Sequence, residues 1–559
     1  MVSEARSRAW WPVVAEIRSR LRAGLSRVAA WRGYIATAPA PAPAPIAEAL
    51  DEASVLAVEE PMRGRVVSRA AAVEMGLLAF AAVSGALLRF VNLGGVGLNS
   101  DEAVYAAQAA SLAGNPHFTG LFPVVRAHPL LFQMLVSPFY RSGTPDVPGR
   151  YVSAMFGMGT IGLVYALGRV LYGRRVGAVA AVLLAVMPYH VLVSRQILLD
   201  GPMTFFGTAA LVCLAVFGRT ERRRWLVVAG ACLGLAALSK ETAIILVGSV
   251  FVFLSLASRF LRPIRYVLAA AGAAIGLALT YPFVTAVSGG SRSGQSYLLW
   301  QLTRRPNHSF SFYVTAVPTA IGLFVLVVAA AGLVLRRRDQ SWREALLLSW
   351  AAVPFVFFEI WPVKGFSYLL ITTPVIVVLA ARTIVSLADR TPKTWPNKAL
   401  TASVALACLA SLLVPSVRSL VSPGSTTLAG AGGTPGGREA GEWVAAHVPQ
   451  GAQFMTIGPS MANLLQYYGG HRGDGLSVSP NPLHRNPSYY PILNADAALR
   501  SGTYQYIVWD AYSAGRSPTF AAKALELARR FHGRTVHVER ATFGGKRHQP
   551  VIVIYQVTP

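Results

Sequence analysis

Apolar stretches of about bilayer thickness follow one another along most of this chain, and that succession limits what it can fold into. They lie at 71–91, 151–170, 176–193, 200–218, 225–238, 241–258, 263–284, 313–335, 344–360, 366–382 and 399–420, about eleven in all. A hydrocarbon core takes roughly 20 apolar residues of helix, with shorter pieces tolerated inside a bundle. Only structures that satisfy their own backbone hydrogen bonds can cross it, so unbroken apolar runs of this length imply helices. Composition agrees: 53% of the residues are hydrophobic, 14% are charged and the mean hydropathy is +0.46, which excludes an ordinary soluble multidomain protein.

Net charge is +26. Nucleic-acid binding would gather such charge on one face, whereas here the cations are interspersed among the apolar runs, so no nucleic-acid partner is expected. Their placement reads instead as topology. With the N-terminus inside, the inner loops are "GRR" (173–175), "RTERRR" (219–224), "RFLRPIR" (259–265), "RRRDQSWR" (336–343) and "ARTIVSLADRTPKTWPNK" (381–398). All are rich in Arg and Lys, as the positive-inside bias requires. The outer segments are then 92–150, 194–199, 239–240, 285–312, 361–365 and everything beyond about 421. The expected location is a plasma (inner) membrane, crossed several times and in contact with its lipids.

Residues 1–70 hold no continuous apolar core of a signal peptide and read as a basic cytoplasmic tail with an "APAPAPAP" spacer at 38–45. The membrane module is expected over 71–420, with 92–150 as a long outer loop carrying amphipathic helices. A Gly/Ser/Pro-rich linker at 421–437 leads into 438–559, where helical and strand signals alternate: "REAGEWVAAHV", "AQFMTIG", "SMANLLQYY", "YQYIVWD", "FAAKALELARRF", "RTVHVE" and "VIVIYQV". Such alternation implies a small α/β domain, extracytoplasmic by the loop count.

The chemistry-bearing residues gather at the outer ends of the spans. In "GVGLNSDEAVYAAQAASLAGN" (95–115), Asn99 or Ser100 caps a helix whose first turn holds Asp101 and Glu102, where the helix dipole favours acids. Acids that merely decorate a helix start account for this pair equally well. The surrounding loop, however, is long and too apolar for disorder, which marks a functional segment. Arg195 and Asp200 in "SRQILLDGP", Lys240 and Glu241 in "LSKET" and Lys364 in "WPVKGFSYLL" lie at the same face. Each alone reads as a snorkelling residue. Together they describe a pocket for an anion such as a lipid phosphate, beside a carboxylate able to take a proton.

Cys213, Cys232 and Cys408 fall within apolar runs and read as small core residues. Asp474, His484 and Asn486 match no zinc spacing. No metal site is assigned, although a divalent cation would suit a phosphate pocket. Tyr489, Tyr490, Tyr504, Tyr506 and Trp509 read as domain core, with carbohydrate stacking the alternative.

The segments "LNSDEAVYAAQAASLAG", "AHPLLFQML", "SRQILLDGPMTFF", "GLAALSKETAIILV" and "VKGFSYLLITTPVIVVLAAR" resemble, in order and spacing over about residues 75–385, the GT-C glycosyltransferases of the protein O-mannosyltransferase and aminoarabinose-transferase type. The resemblance implies a polytopic helical membrane enzyme that moves a sugar from a polyprenyl phosphate to an acceptor hydroxyl, on a glycan, lipid or protein. It places the general base at Asp101, with Glu102 orienting or assisting. Lys240, Lys364, Arg126 and His128 fall to the donor phosphate, and Arg195, Asp200, Tyr105 and Tyr368 to the sugar and acceptor pocket. Where relatives often carry Lys-Pro-Pro-Leu, this chain reads "AHPLL", so His128 replaces a permanent cation, with Arg126 a substitute two residues earlier.

A transporter or flippase of lipid-linked saccharides would share this charge inventory, but it calls for inverted repeats and charges at span centres, and neither is evident. A non-catalytic cell-envelope assembly protein is the other alternative, for which the acidic pair is incidental. The Ala/Arg/Gly/Val-rich composition suggests a high-GC bacterium, and by that association alone mannose or arabinose on decaprenyl phosphate is the leading expectation for the donor.

Overall fold

The computed structural model describes residues 69–124, 128–261, 263–287, 300–335 apart from 302 and 305, 341–390, 395–421, 433–543 and 546–558. Its first part is a helical bundle: α1 (Arg69–Phe90), α2 (Ser100–Leu112), α3 (Leu131–Val136), α4 (Val147–Tyr172), α5 (Arg174–Ala185), α6 (Pro188–Ser194), α7 (Asp200–Thr220), α8 (Arg224–Ser239), α9 (Ile245–Leu256), α10 (Ile264–Ala278), α11 (Thr280–Val287), α12 (Phe312–Ile321), α13 (Leu323–Leu335), α14 (Trp342–Ile360), α15 (Thr373–Arg390) and α16 (Trp395–Val421).

Among the described residues, six helical stretches are long and apolar enough to cross a membrane, and two bent pairs raise the number to eight if each pair is one span. The protein is therefore a polytopic helical membrane protein, with fewer full-length spans than the eleven apolar runs suggest. The reasons are local. The α8 helix has 16 residues, about 24 Å at 1.5 Å per residue, against a core of about 30 Å. In α14, Arg343, Glu344 and Glu359 interrupt the apolar run. The 176–193 run breaks ahead of Pro188 and bends by 62° between α5 and α6. The 313–335 run breaks at Gly322, whose φ of +94° suits glycine, and bends by 97°.

Small residues let the helices approach closely. A Cβ on Gly230 of α8 would lie 2.1 Å from the Ala270 carbonyl oxygen of α10. Backbone cannot yield as a side chain can, so Gly230→Ala is expected to force the two helices apart. Overpacking of this kind costs about 1–3 kcal/mol. The thermal midpoint of the detergent-purified protein checks it, and Gly162→Ala, where a Cβ meets nothing within 4 Å, is the control.

The second part contains α17 (Gly437–His447), β1 (Phe454–Thr456), α18 (Pro459–Gly469), β2 (Gly473–Gly475), α19 (Ala495–Arg500), β3 (Tyr506–Asp510), α20 (Ala511–Arg516), α21 (Pro518–Arg530), β4 (Arg534–Phe543) and β5 (Lys546–Gln556). The sheet order is β2-β1-β3-β5-β4, with β1 parallel to both β2 and β3 and the remaining pairs antiparallel. Strand alternation sends successive side chains to opposite faces. Met455 and Ile507 pack with α21 residues such as Leu527, whereas Phe454, Tyr506 and Val508 share a core with Tyr467 and Tyr468 of α18. That second core continues without a break into Leu98, the α2 alanines, Phe118 and Tyr140. The α/β unit is thereby joined to the 92–150 loop through apolar packing.

Candidate active site

The site is built outward from the start of α2. Asn99 is the N-cap, and its side-chain oxygen accepts from the backbone N–H groups of Asp101 and Glu102, at 3.0 Å each. The Glu102 carboxylate reaches back to the Asn99 N–H at 3.0 Å, which closes a capping box. This local geometry turns the two adjacent acids in opposite senses.

Glu102 is fully buried and fully used. Its Oε1 accepts from Arg150 Nε at 2.8 Å and Ile197 N at 3.0 Å, and its Oε2 from an Arg150 terminal nitrogen at 2.8 Å, besides Asn99 N. The other Arg150 donors go to the carbonyls of Leu93, Val96 and Gly97 at 2.7–3.0 Å. A carboxylate so saturated has no lone pair left for an acceptor hydroxyl. Of the two roles expected for Glu102, orienting fits this geometry and proton transfer does not. Arg150, which nothing in its local sequence marks, ties α4 to the loop.

Asp101 points the other way and is open to solvent. It is nevertheless ringed by protein: burial raises its carboxyl above the ordinary 3.8, opposed by the charges of His128 and Lys240, with Asp200 adding to the rise and Arg516 opposing it. Tyr105, one turn along the same face of α2, meets the His128 ring edge-on at 5.8 Å. His128 Nδ1 lies 2.8 Å from Glu241 Oε2. The imidazole thus faces a carboxylate.

Lys240 and Asp200 form a buried pair, Nζ to Oδ1 at 2.8 Å and to Oδ2 at 2.9 Å, with the ammonium 4.5 Å from the centre of the Tyr368 ring. Tyr368 lies within electrostatic reach of Lys240, Asp200, Glu241 and Asp101. Residues from distant stretches of sequence therefore converge on Asp101: Tyr105, His128, Asp200, Lys240, Glu241 and Tyr368. In this arrangement Lys240 is already neutralised, so a phosphate would have to share it with Asp200.

Two expected members lie elsewhere. The Arg195 guanidinium donates to the carbonyls of Leu88, Val91 and Asn92 at 2.8–3.0 Å, and so caps the end of α1 and holds Asn92 at a φ of 54°. Lys364 is buried against the carbonyls of Phe358 and Glu359 at the end of α14, beside the rings of Phe310 and Tyr313. Both follow from one physical fact: helix C-termini leave carbonyls unpaired, and long cations satisfy them. Arg126 lies outside the described residues.

One cationic region was not evident from sequence. His308 has Arg516, Arg304 and Lys364 as electrostatic neighbours, which add to burial in holding its ring below the ordinary 6.5. Arg516 also neighbours Asp101 and comes from α20 of the α/β unit. Nothing in the local sequence around Arg516 or Arg304 marks them; only the fold brings them together. Among the described residues, no group of three or more His, Cys, Asp or Glu side chains is placed to hold a metal ion.

The fold recurs in solved structures. ArnT from Cupriavidus metallidurans, bound to undecaprenyl phosphate, aligns over 86% of this chain and 98% of its own at 18% identity, with a TM-score of 0.61. The oligosaccharyltransferase AglB from Archaeoglobus fulgidus, in complex with an inhibitory peptide and a dolichol phosphate, aligns over 83% of this chain and 72% of its own at 14% identity, with a TM-score of 0.56. By sequence, the dolichyl-phosphate-mannose-protein mannosyltransferase family profile matches residues 127–286. No curated protein matches by sequence. The structural likenesses show that the chain shares its fold with ArnT and AglB.

Proposed function

We propose that this chain is an integral-membrane inverting glycosyltransferase that moves a sugar from a polyprenyl phosphate to an acceptor hydroxyl at the outer membrane face, with Asp101 as general base. The carrying observation is the convergence on Asp101, a solvent-reached carboxylate within a protein-lined recess, of the His128–Glu241 and Lys240–Asp200 pairs and the Tyr368 ring. A polyprenyl-phosphate sugar already has a good leaving group. The enzyme then needs one base for the incoming hydroxyl and cations for the departing phosphate, and no general acid. In-line attack breaks the sugar–phosphate C–O bond as the acceptor oxygen forms its own, and inverts the anomeric carbon.

Asp101 is the one acid of its pair with a carboxylate available for that proton. The phosphate side is assigned to Arg304 and Arg516, the cations beside His308. Asp200 and Glu241 keep Lys240 and His128 in place. The family profile, named for a dolichyl-phosphate-mannose donor, and the undecaprenyl phosphate bound by ArnT support a lipid-phosphate donor, with mannose or arabinose as the sugars to try first.

The test is to give the purified chain, in lipid nanodiscs, radiolabelled decaprenyl-phosphate mannose and decaprenyl-phosphate arabinose, and to follow release of decaprenyl phosphate with a mixed pool of glycan, lipid and peptide acceptors. Release from at least one donor is expected, with an inverted product linkage. Movement of an intact lipid-linked saccharide across proteoliposomes without release would replace this reading with the transporter alternative.

A further inference from the structure

The α2 start is gripped from both sides. Arg150 and Glu102 hold it from the membrane bundle, and the α/β unit holds it from the opposite side. The Tyr468 hydroxyl of α18 accepts from the Leu98 N–H at 2.8 Å and donates to Asp146 Oδ1 at 2.7 Å. A single oxygen thus joins the strand leading into α2 to the residue preceding α4, the helix that carries Arg150. Asn463, on the same helix, donates to Ser100 Oγ at 3.0 Å and to the Tyr489 hydroxyl at 2.9 Å. Arg438 bonds Asp146 and the Gly94 carbonyl. Gly433 packs so near that a Cβ would lie 2.3 Å from the Gly97 carbonyl oxygen. Leu98, Ser100 and Glu102 are each held by a side chain from another element, and the Asp101 N–H is held by the Asn99 cap.

We propose that Tyr468, seconded by Asn463, is a positioning residue through which the α/β unit holds Asp101 in the recess. Leu98, Ser100 and Asp101 lie within one turn, so the chain cannot release the first two and leave the third in place. The meaning of this clamp for catalysis rests on Asp101 being the base; its existence does not. The charged groups that face Asp101 are His128 and, paired with it, Glu241; Lys240 and Asp200 from the span ends; and Arg516 from the α/β unit itself. Their net result together with burial is an upward displacement of its titration. Release toward solvent therefore moves that titration down, toward the ordinary value.

The test needs no sugar donor. In the full-length protein, Tyr468→Phe removes one oxygen and keeps the ring. Hydrogen exchange over residues 97–104 is expected to quicken. Carbodiimide labelling of Asp101, which reports the protonated carboxyl, is expected to fall about twofold at a pH near its midpoint. Tyr467→Phe is the control: it breaks a comparable bond, to the Pro145 carbonyl at 2.9 Å, without touching the strand into α2. Should Tyr468→Phe fail to fold, Asn463→Ala carries the same expectation. Exchange that does not quicken, or quicker exchange with labelling unchanged or raised, overturns the proposal. A protein that passes this test yet turns over no polyprenyl-phosphate sugar would retain the clamp and lose the glycosyltransferase reading.

Discussion

Asp101→Asn protein is expected to fold, to retain the lipid-phosphate donor and to lose transfer by about 10²–10⁴-fold, the usual contribution of a positioned general base. The amide has nearly the same shape as the carboxylate but cannot take the proton of the incoming hydroxyl. Because ground-state contacts with the donor survive, the loss is expected in kcat, with KM for the donor little changed. Stability is expected to move the opposite way. Burial raises the Asp101 carboxyl above 3.8, so the ionised form costs the folded state. A raised folded-state pKa gives a contribution that is full below the unfolded pKa and lost as pH rises through the folded one. At pH 7.5, therefore, the asparagine protein should melt no lower than wild type, and lowering the pH should favour wild type. The same displacement sets the acidic limb of wild-type activity above the ordinary carboxylate range. A melting curve and a pH–rate profile on the two proteins check both. An Asp101→Asn enzyme with wild-type kcat would remove Asp101 from the chemistry.

What could be read from the sequence follows from how local each feature is. The capped acidic start of α2 was legible because capping chemistry is confined to four residues, Asn99 to Glu102. The longer helices and strands of the α/β unit were legible from periodicity, but not the six-residue helices α19 and α20, nor β2, where Gly473, Asp474 and Gly475 form an edge strand through pairing with β1 alone and carry no strand preference of their own. The roles of the cations were harder to read. Lys240, Arg195 and Lys364 all stand at span ends, yet Lys240 meets a carboxylate 40 positions away, Arg195 satisfies helix carbonyls, and Lys364 satisfies helix carbonyls with the Glu359 carboxylate 3.9 Å away. Sequence distinguishes residue types, not partners, and a long cation serves either purpose at the same position. Arg304 and Arg516 were illegible for the same reason, since they come from segments far apart in the chain and meet only in the fold.

Of the acidic pair, Glu102 is the one bound into the fold, and Arg150 is where that binding can be tested. Arg150→Met keeps the stem that packs in α4 but leaves the Glu102 carboxylate buried without its cation, and the Leu93, Val96 and Gly97 carbonyls without donors. Breaking a buried pair by removing one partner costs about 3–5 kcal/mol. Denaturant unfolding of the detergent-purified protein should show a loss of that size, or the variant should fail to accumulate. Glu102→Gln together with Arg150→Met removes the stranded charge and should recover part of the stability, since an uncompensated ion is the larger component of the penalty. Transfer should stay low in that double variant even where the fold is recovered. The carbonyls of Leu93, Val96 and Gly97 remain without the Arg150 donors, in the segment that leads into the Asp101 helix. A double variant that regained both stability and full kcat would show that the capping box alone places Asp101, and that the Arg150 fork serves only the joint between α4 and the loop.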